Sequence, residues 1–287
     1  MRKVIYIGLV VALCWFAEDC ARAAELHVPQ NAVAGQPLSI STSGSGTLYL
    51  IGPGQVIKKE FKSGSVEIKG EELRNAGRWI AAVHGDGNSS QVFWVKPGKP
   101  GKLNFLARPS RVPVARPNVI SGVTFVFDQY QNLILDPTPV NFKLEVGGSS
   151  STKSVTSREG VAWINSASAP KAGAAQFVAS VDDTSVARVV QQVAADPCER
   201  SFRMHVAGHS GDRTIVETDP IRDCSGNPVP DGTIVTFIQN DKTGKSTVDA
   251  RIKKGTARAE LPASDNATIT VAAGVVLGNE LHVGGRQ

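Results

Sequence analysis

Several short strings in this chain have the residue types of reactive sites. Ser150-Ser151-Thr152-Lys153, Ser264-Asp265-Asn266 and Lys242-Thr243-Gly244 are the three elements that one class of serine acyl-transfer enzymes assembles. Their order decides against that chemistry. The serine string has to open a helix, and Ser-Asp-Asn has to precede Lys-Thr-Gly. Here Ser150 follows Gly147-Gly148, which places it in a loop, and the other two elements come in reverse order. Gly208-His209-Ser210-Gly211-Asp212 begins like a nucleophile elbow, but Asp212 stands where the second glycine is needed and no helical pattern follows, so the reading is a hairpin turn. His205, His209, Cys198 and Cys224 have the donor types of a zinc site. Two histidines four apart on an extended strand lie about 13 Å from one another, too far for one ion. A bend at Gly208 would bring them closer, so zinc stays open as the alternative to a Cys198–Cys224 disulfide. No catalytic residue, cofactor-binding residue or metal ligand is assigned.

The elements that carry these strings are short strands. Val140-Asn141-Phe142-Lys143-Leu144-Glu145-Val146 alternates apolar and polar without exception, which gives a strand with one packed and one wet face. Ile234 to Ile238 repeats the pattern, and turn residues separate strands of this kind along the whole chain. Helical spacing is confined to Leu73 with Ala76, one turn at most. The expected fold class is all-β, a row of β-sandwiches.

The sequence also repeats itself. Asp128, Asn132, Asp136, Thr138, Val140 and Phe142 lie 95 positions before Asp223, Asn227, Asp231, Thr233, Val235 and Phe237, and Gly160 and Ala162 lie 95 before Gly255 and Ala257. A repeat of that length is a whole small domain. Lys96-Pro97-Gly98-Lys99-Pro100-Gly101 and Ala194-Ala195-Asp196-Pro197 read as linkers. The expected division is 1–23 as a signal peptide and 24–97, 101–194 and 198–287 as three domains, with few contacts across the linkers.

The signal-peptide reading rests on Met1-Arg2-Lys3, the apolar run Val4 to Phe16 and the small-x-small triplet Ala21-Arg22-Ala23. The run is too short to span a bilayer, and no second one follows, so no transmembrane segment is expected in the mature chain. Of 31 basic and 26 acidic residues, the segment to Ala23 removes three and two, which leaves 28 and 24 and a net charge of +4. Basic residues are scattered, with no stripe interleaved with aromatics, and this excludes a nucleic-acid groove. Only Cys198 and Cys224 remain in the mature chain, and in an exported protein an even pair reads as a disulfide. The 95-residue counterparts of both are non-cysteine, Leu103 and Gln129, so the pair is present together or absent together.

The repeated stretch resembles the bacterial immunoglobulin-like domain that occurs in tandem in the invasin and intimin family of adhesins. Asp223, Gly226, Asn227, Pro228, Val229, Gly232, Val235 and Phe237 fill that pattern. In the earlier copy Asp128, Asn132, Val140 and Phe142 remain, while Gln131, Leu133 and Pro137 replace Gly, Pro and Gly. The resemblance covers roughly Gly101 to Gln287. In the first segment, Asn75-Ala76-Gly77-Arg78-Trp79 is similar to the immunoglobulin sixth-strand signature, with Trp79 in the tyrosine position. Lacking the phenolic hydroxyl, Trp79 is expected to leave the corner hydrogen bond unmade. The resemblance implies turn residues and core residues, and stalk or display roles. It implies no chemistry. The expected function is an exported, non-enzymatic adhesion or binding module whose partner is a protein or glycan at the cell surface; the alternative is a structural spacer or assembly subunit.

Overall fold

The computed structural model describes residues 25–284. The signal-peptide reading of the first 23 residues lies outside the described residues. Apart from a single 3-10 turn at Gly70–Glu72, all regular structure in them is strand, and no helix among them is long and apolar enough to cross a membrane. The chain forms two compact units, one running to Lys102 and taking in Phe127–Leu135, the other made of Leu103–Val126 and everything from Asp136.

The first unit contains β1 (Leu26–His27), β2 (Asn31–Val33), β3 (Leu38–Thr42), β4 (Gly46–Gly52), β5 (Gln55–Phe61), β6 (Gly64–Ile68), β7 (Gly77–Gly85) and β8 (Ser89–Lys96). They form a three-stranded sheet, β1-β3-β6, and a five-stranded sheet, β2-β8-β7-β4-β5. Alternation sets which side chains enter the core. In β7, Trp79, Ala81 and Val83 are buried, and Trp79 packs on Phe93 of β8 with ring centroids 6.2 Å apart. Gly52 makes that possible, because a Cβ there would lie 2.2 Å from the indole. The indole Nε1–H donates to the Asn75 carbonyl at 2.9 Å. The expectation that the corner hydrogen bond is lost is therefore corrected: a ring N–H four residues downstream reaches the backbone that a phenol would otherwise bind.

Next in the chain come β9 (Pro100–Arg108), β10 (Arg111–Pro113), β11 (Ile120–Asp128), β12 (Pro139–Val146), β13 (Ser149–Thr156), β14 (Val161–Ser166), β15 (Gly173–Val181) and β16 (Thr184–Val193). Their sheets are β14-β11-β9 and β10-β16-β15-β12-β13, the same three-plus-five arrangement. Phe105, Phe142 and Phe177 form the aromatic centre of this pair, with centroids 5.2 to 6.1 Å apart. The remaining strands are β17 (Met204–Ser210), β18 (Arg213–Thr218), β19 (Ile234–Asp241), β20 (Gly244–Arg251), β21 (Arg258–Pro262), β22 (Ala267–Ala273) and β23 (Val276–Val283). These pair as β17-β18-β21 and β20-β19-β22-β23. Val140, Phe142, Val235 and Phe237 are all at most 1 % exposed.

Two details differ from the sequence reading. Pro100 and Gly101 already belong to β9, so only Pro97, Gly98 and Lys99 separate β8 from β9, and Gly98 is hydrogen-bonded rather than free. Ser150 to Lys153 lies in the edge strand β13 and not in a loop. Seven of the eight residues of β13 are exposed; with no face to bury, an edge strand needs no alternation and gives no periodic signal.

Candidate functional site

Among the polar groups that the fold buries are Asp128, Asp223 and Asn227. Asp223 itself forms an isolated antiparallel β-bridge with Pro197, and its side chain closes the turn after it. Its carboxylate accepts the N–H groups of Ser225 and Asn227 at 2.9 Å each and the Asn227 amide at 3.0 and 3.2 Å. It also accepts Ala195 N–H, from the segment between β16 and β17, at 3.0 Å. Asn227 in turn reaches back to the turn before β15: its carbonyl oxygen accepts Ala172 N–H at 2.9 Å and its amide donates to the Pro170 carbonyl at 2.7 Å. One carboxylate thus holds its own loop and the preceding linker, and one amide holds the preceding sandwich.

The same device exists in the first unit. Asp128 accepts Tyr130, Asn132 and Gly98 N–H groups at 2.8 to 2.9 Å, and the Asn132 amide at 2.7 Å. Asn132 accepts Ala76 N–H at 2.9 Å and donates to the Arg74 carbonyl at 2.7 Å. Each clasp satisfies buried donors that would cost about 1 to 3 kcal/mol apiece if left unpaired. Sequence reasoning found Asp128, Asn132, Asp223 and Asn227 as turn residues and missed their distant partners. A signal was present: Ala76-Gly77 recurs as Ala172-Gly173, 96 positions on.

Within the turn, Gly226 has φ +83° and the corresponding Gln131 has φ +70°, so the left-handed position is real in both copies and only one of them carries glycine. Gly232 has φ +89°, and Asp231 caps the Lys253-Lys254-Gly255 turn through the N–H groups of Lys254 and Gly255. Pro228 is exposed and Val229 buried. Asp136, in the earlier copy, makes no such cap; its carbonyl accepts the Thr138 hydroxyl at 3.0 Å.

Cys198 and Cys224 are bonded to one another, 26 positions apart, and the bridge ties the residue after the second linker to the residue after Asp223. Neither sulfur is then a thiolate for a metal. His205 pairs with Asp219 at 3.3 Å and His209 with Thr214 at 3.4 Å, on a strand whose register shifts between Val206 and Gly208. Among the described residues no group of three or more His, Cys, Asp or Glu is placed to hold an ion. Lys242-Thr243-Gly244 is the turn of the β19–β20 hairpin. There the Thr243 hydroxyl and the N–H groups of Thr243 and Gly244, with the Gln239 amide, hold the Asp241 carboxyl down at about 2. Ser264-Asp265-Asn266 is the turn between β21 and β22, and Ser210-Gly211-Asp212-Arg213 closes the β17–β18 hairpin. The strings that look like chemistry are kept apart as turns and an edge strand.

No protein-family model and no curated protein sequence matches this chain. Solved structures do. One is FdeC, an Escherichia coli adhesin, at TM-score 0.63 and 13% identity over 92% of this chain and 99% of that one. Others are InvD of Yersinia pseudotuberculosis, at TM-score 0.49 and 13% identity over 90% and 96% of the two chains, and invasin, a bacterial integrin-binding protein, at 0.48 and 13% over 89% and 57%. At 13% identity the likeness to FdeC speaks for the backbone alone, and the backbone is that of tandem immunoglobulin-like β-sandwiches.

Proposed function

We propose that this chain is an exported, non-enzymatic binding module of a bacterial surface or envelope, made of three immunoglobulin-like domains over residues 24–97, 101–194 and 198–287. The observation that carries the reading is the repeated clasp. Buried side-chain polarity is used to hold one sandwich to the backbone of the one before it, as Asn227 does at Pro170 and Ala172, and the reactive-looking strings serve as turns and an edge strand. A device of that kind fits a protein that presents a surface at a fixed place. The partner is a protein or glycan outside the cytoplasm. The clasps alone equally favour the second reading, a spacer or assembly subunit; the exposed apolar residues of the first unit favour binding.

Purified protein starting at Ala24 should bind cells, matrix proteins or a glycan array saturably. Binding to none of these, with recovery only in a complex of envelope proteins, would establish the spacer instead. Fractionation followed by amino-terminal sequencing checks export, with a mature end at Ala24 expected.

A further inference from the structure

The five-stranded sheet of the first unit turns one face to its core and the other to solvent, and the solvent face is unusually apolar. The register aligns Val92 with Ile80, Ile80 with Ile51 and Ile51 with Val56, one residue from each of β8, β7, β4 and β5. The result is an unbroken aliphatic row across four strands, about 14 Å wide at ordinary strand spacing. Val92, Ile51 and Val56 are 39, 44 and 65% exposed, and Trp94 at 54% extends the patch two residues along β8. Single exposed apolar residues need no explanation, but an aligned row with a tryptophan beside it does.

The charges around the row are mostly of one sign. Arg78 lies opposite Trp94, Lys96 two residues beyond it and Lys58 two beyond Val56, all exposed and on the same face. Glu60 is the one acid the strands place there, and Lys58 pairs with it at 3.6 Å. This arrangement argues against a second copy of the chain, since a symmetric pairing of the face would bring its cations together. A partner with an apolar stripe between carboxylates complements both features.

We propose that this face is a docking surface for a protein partner that presents an amphipathic segment with an aliphatic stripe flanked by acidic residues. The proposal rests on the reading of the chain as a binding module and adds the place and the chemistry. The row would supply the desolvated centre of the interface, and Arg78 and Lys96 its oriented rim.

The test uses the chain from Ala24 and two synthetic helical peptides with one leucine stripe, flanked by glutamates in one and by lysines in the other. The glutamate peptide should bind at least about tenfold more tightly, and Ile51→Lys should weaken it at least about tenfold. Val56→Lys, at a more exposed site, should act in the same direction, with unchanged thermal unfolding in both variants. Arg78→Glu combined with Lys96→Glu should abolish or reverse the preference between the peptides. Equal binding of the two peptides, or no effect of Ile51→Lys and Val56→Lys, overturns the proposal. So does a preference for phosphatidylglycerol vesicles over the glutamate peptide, which would make the face a membrane surface, or dimerisation that these variants remove. If the chain binds cells or matrix and Ile51→Lys binds them equally, the binding reading stands and this surface falls. If the peptide preference holds while no cell or matrix target is bound, the surface stands and the adhesion reading falls.

Discussion

A buried carboxylate is tolerated when its oxygens are filled, and Asp223 has the N–H groups of Ser225, Asn227 and Ala195 and the Asn227 amide aimed at it. The turn that brings them there needs one left-handed residue. Gly226 adopts that conformation freely, with nothing within 4 Å of where its Cβ would be, whereas Gln131 holds it with a full side chain. Replacing Gln131→Gly should therefore stabilise the protein by about 1 kcal/mol, and Gly226→Gln should cost a similar amount. Thermal unfolding of the two variants checks this; a loss of stability in Gln131→Gly would show that the side chain contributes more than the dihedral costs. The turn chemistry was legible because Gly, Asn, Pro and Asp have local preferences. The partners of Asn132 and Asn227 were not, because they are backbone groups of Arg74, Ala76, Pro170 and Ala172, and backbone carries no letter in a sequence.

At the scale of the element, what could be read from sequence followed burial. β12 and β19 each bury one face, and their alternation announces them. β2 and β10 are three residues long and pair in parallel with β8 and β16, too short to show any period. β13 buries almost nothing, and its serines and threonines read as loop. β7 was recognisable from its signature, but the corner bond at its start was not, because an indole N–H stands in for a hydroxyl. Trp79→Phe keeps an aromatic plug and removes only the donor and part of the ring. It should destabilise by about 1 to 3 kcal/mol through the orphaned Asn75 carbonyl and the space left over Gly52. Denaturant unfolding with an unchanged midpoint would show that the bond contributes nothing.

Across the molecule the two clasps follow one plan but are not equal, since only the later one is backed by a disulfide. Closing a loop of 26 positions should be worth about 3.5 kcal/mol by the chain-entropy account. Reduction, or Cys198→Ala with Cys224→Ala, should lower the unfolding midpoint and expose Arg200 and Arg203 to trypsin while cleavage near Lys99 stays as it was. Equal acceleration at both places would mean that the bridge supports the whole chain rather than its own clasp. The 95-residue repeat made the duplicated turn visible in sequence; the inequality follows from Cys198 and Cys224 standing where the earlier copy has Leu103 and Gln129. It also has a mechanical meaning. A chain anchored at one end and pulled at the other would load both clasps, and a covalent bond does not yield at the forces that part hydrogen bonds. Under rising tension the hydrogen bonds of Asn132 to Arg74 and Ala76 and those of Asn227 to Pro170 and Ala172 should part first, while the segment from Cys198 to Cys224 stays closed by its covalent bond and limits how far the chain can lengthen there.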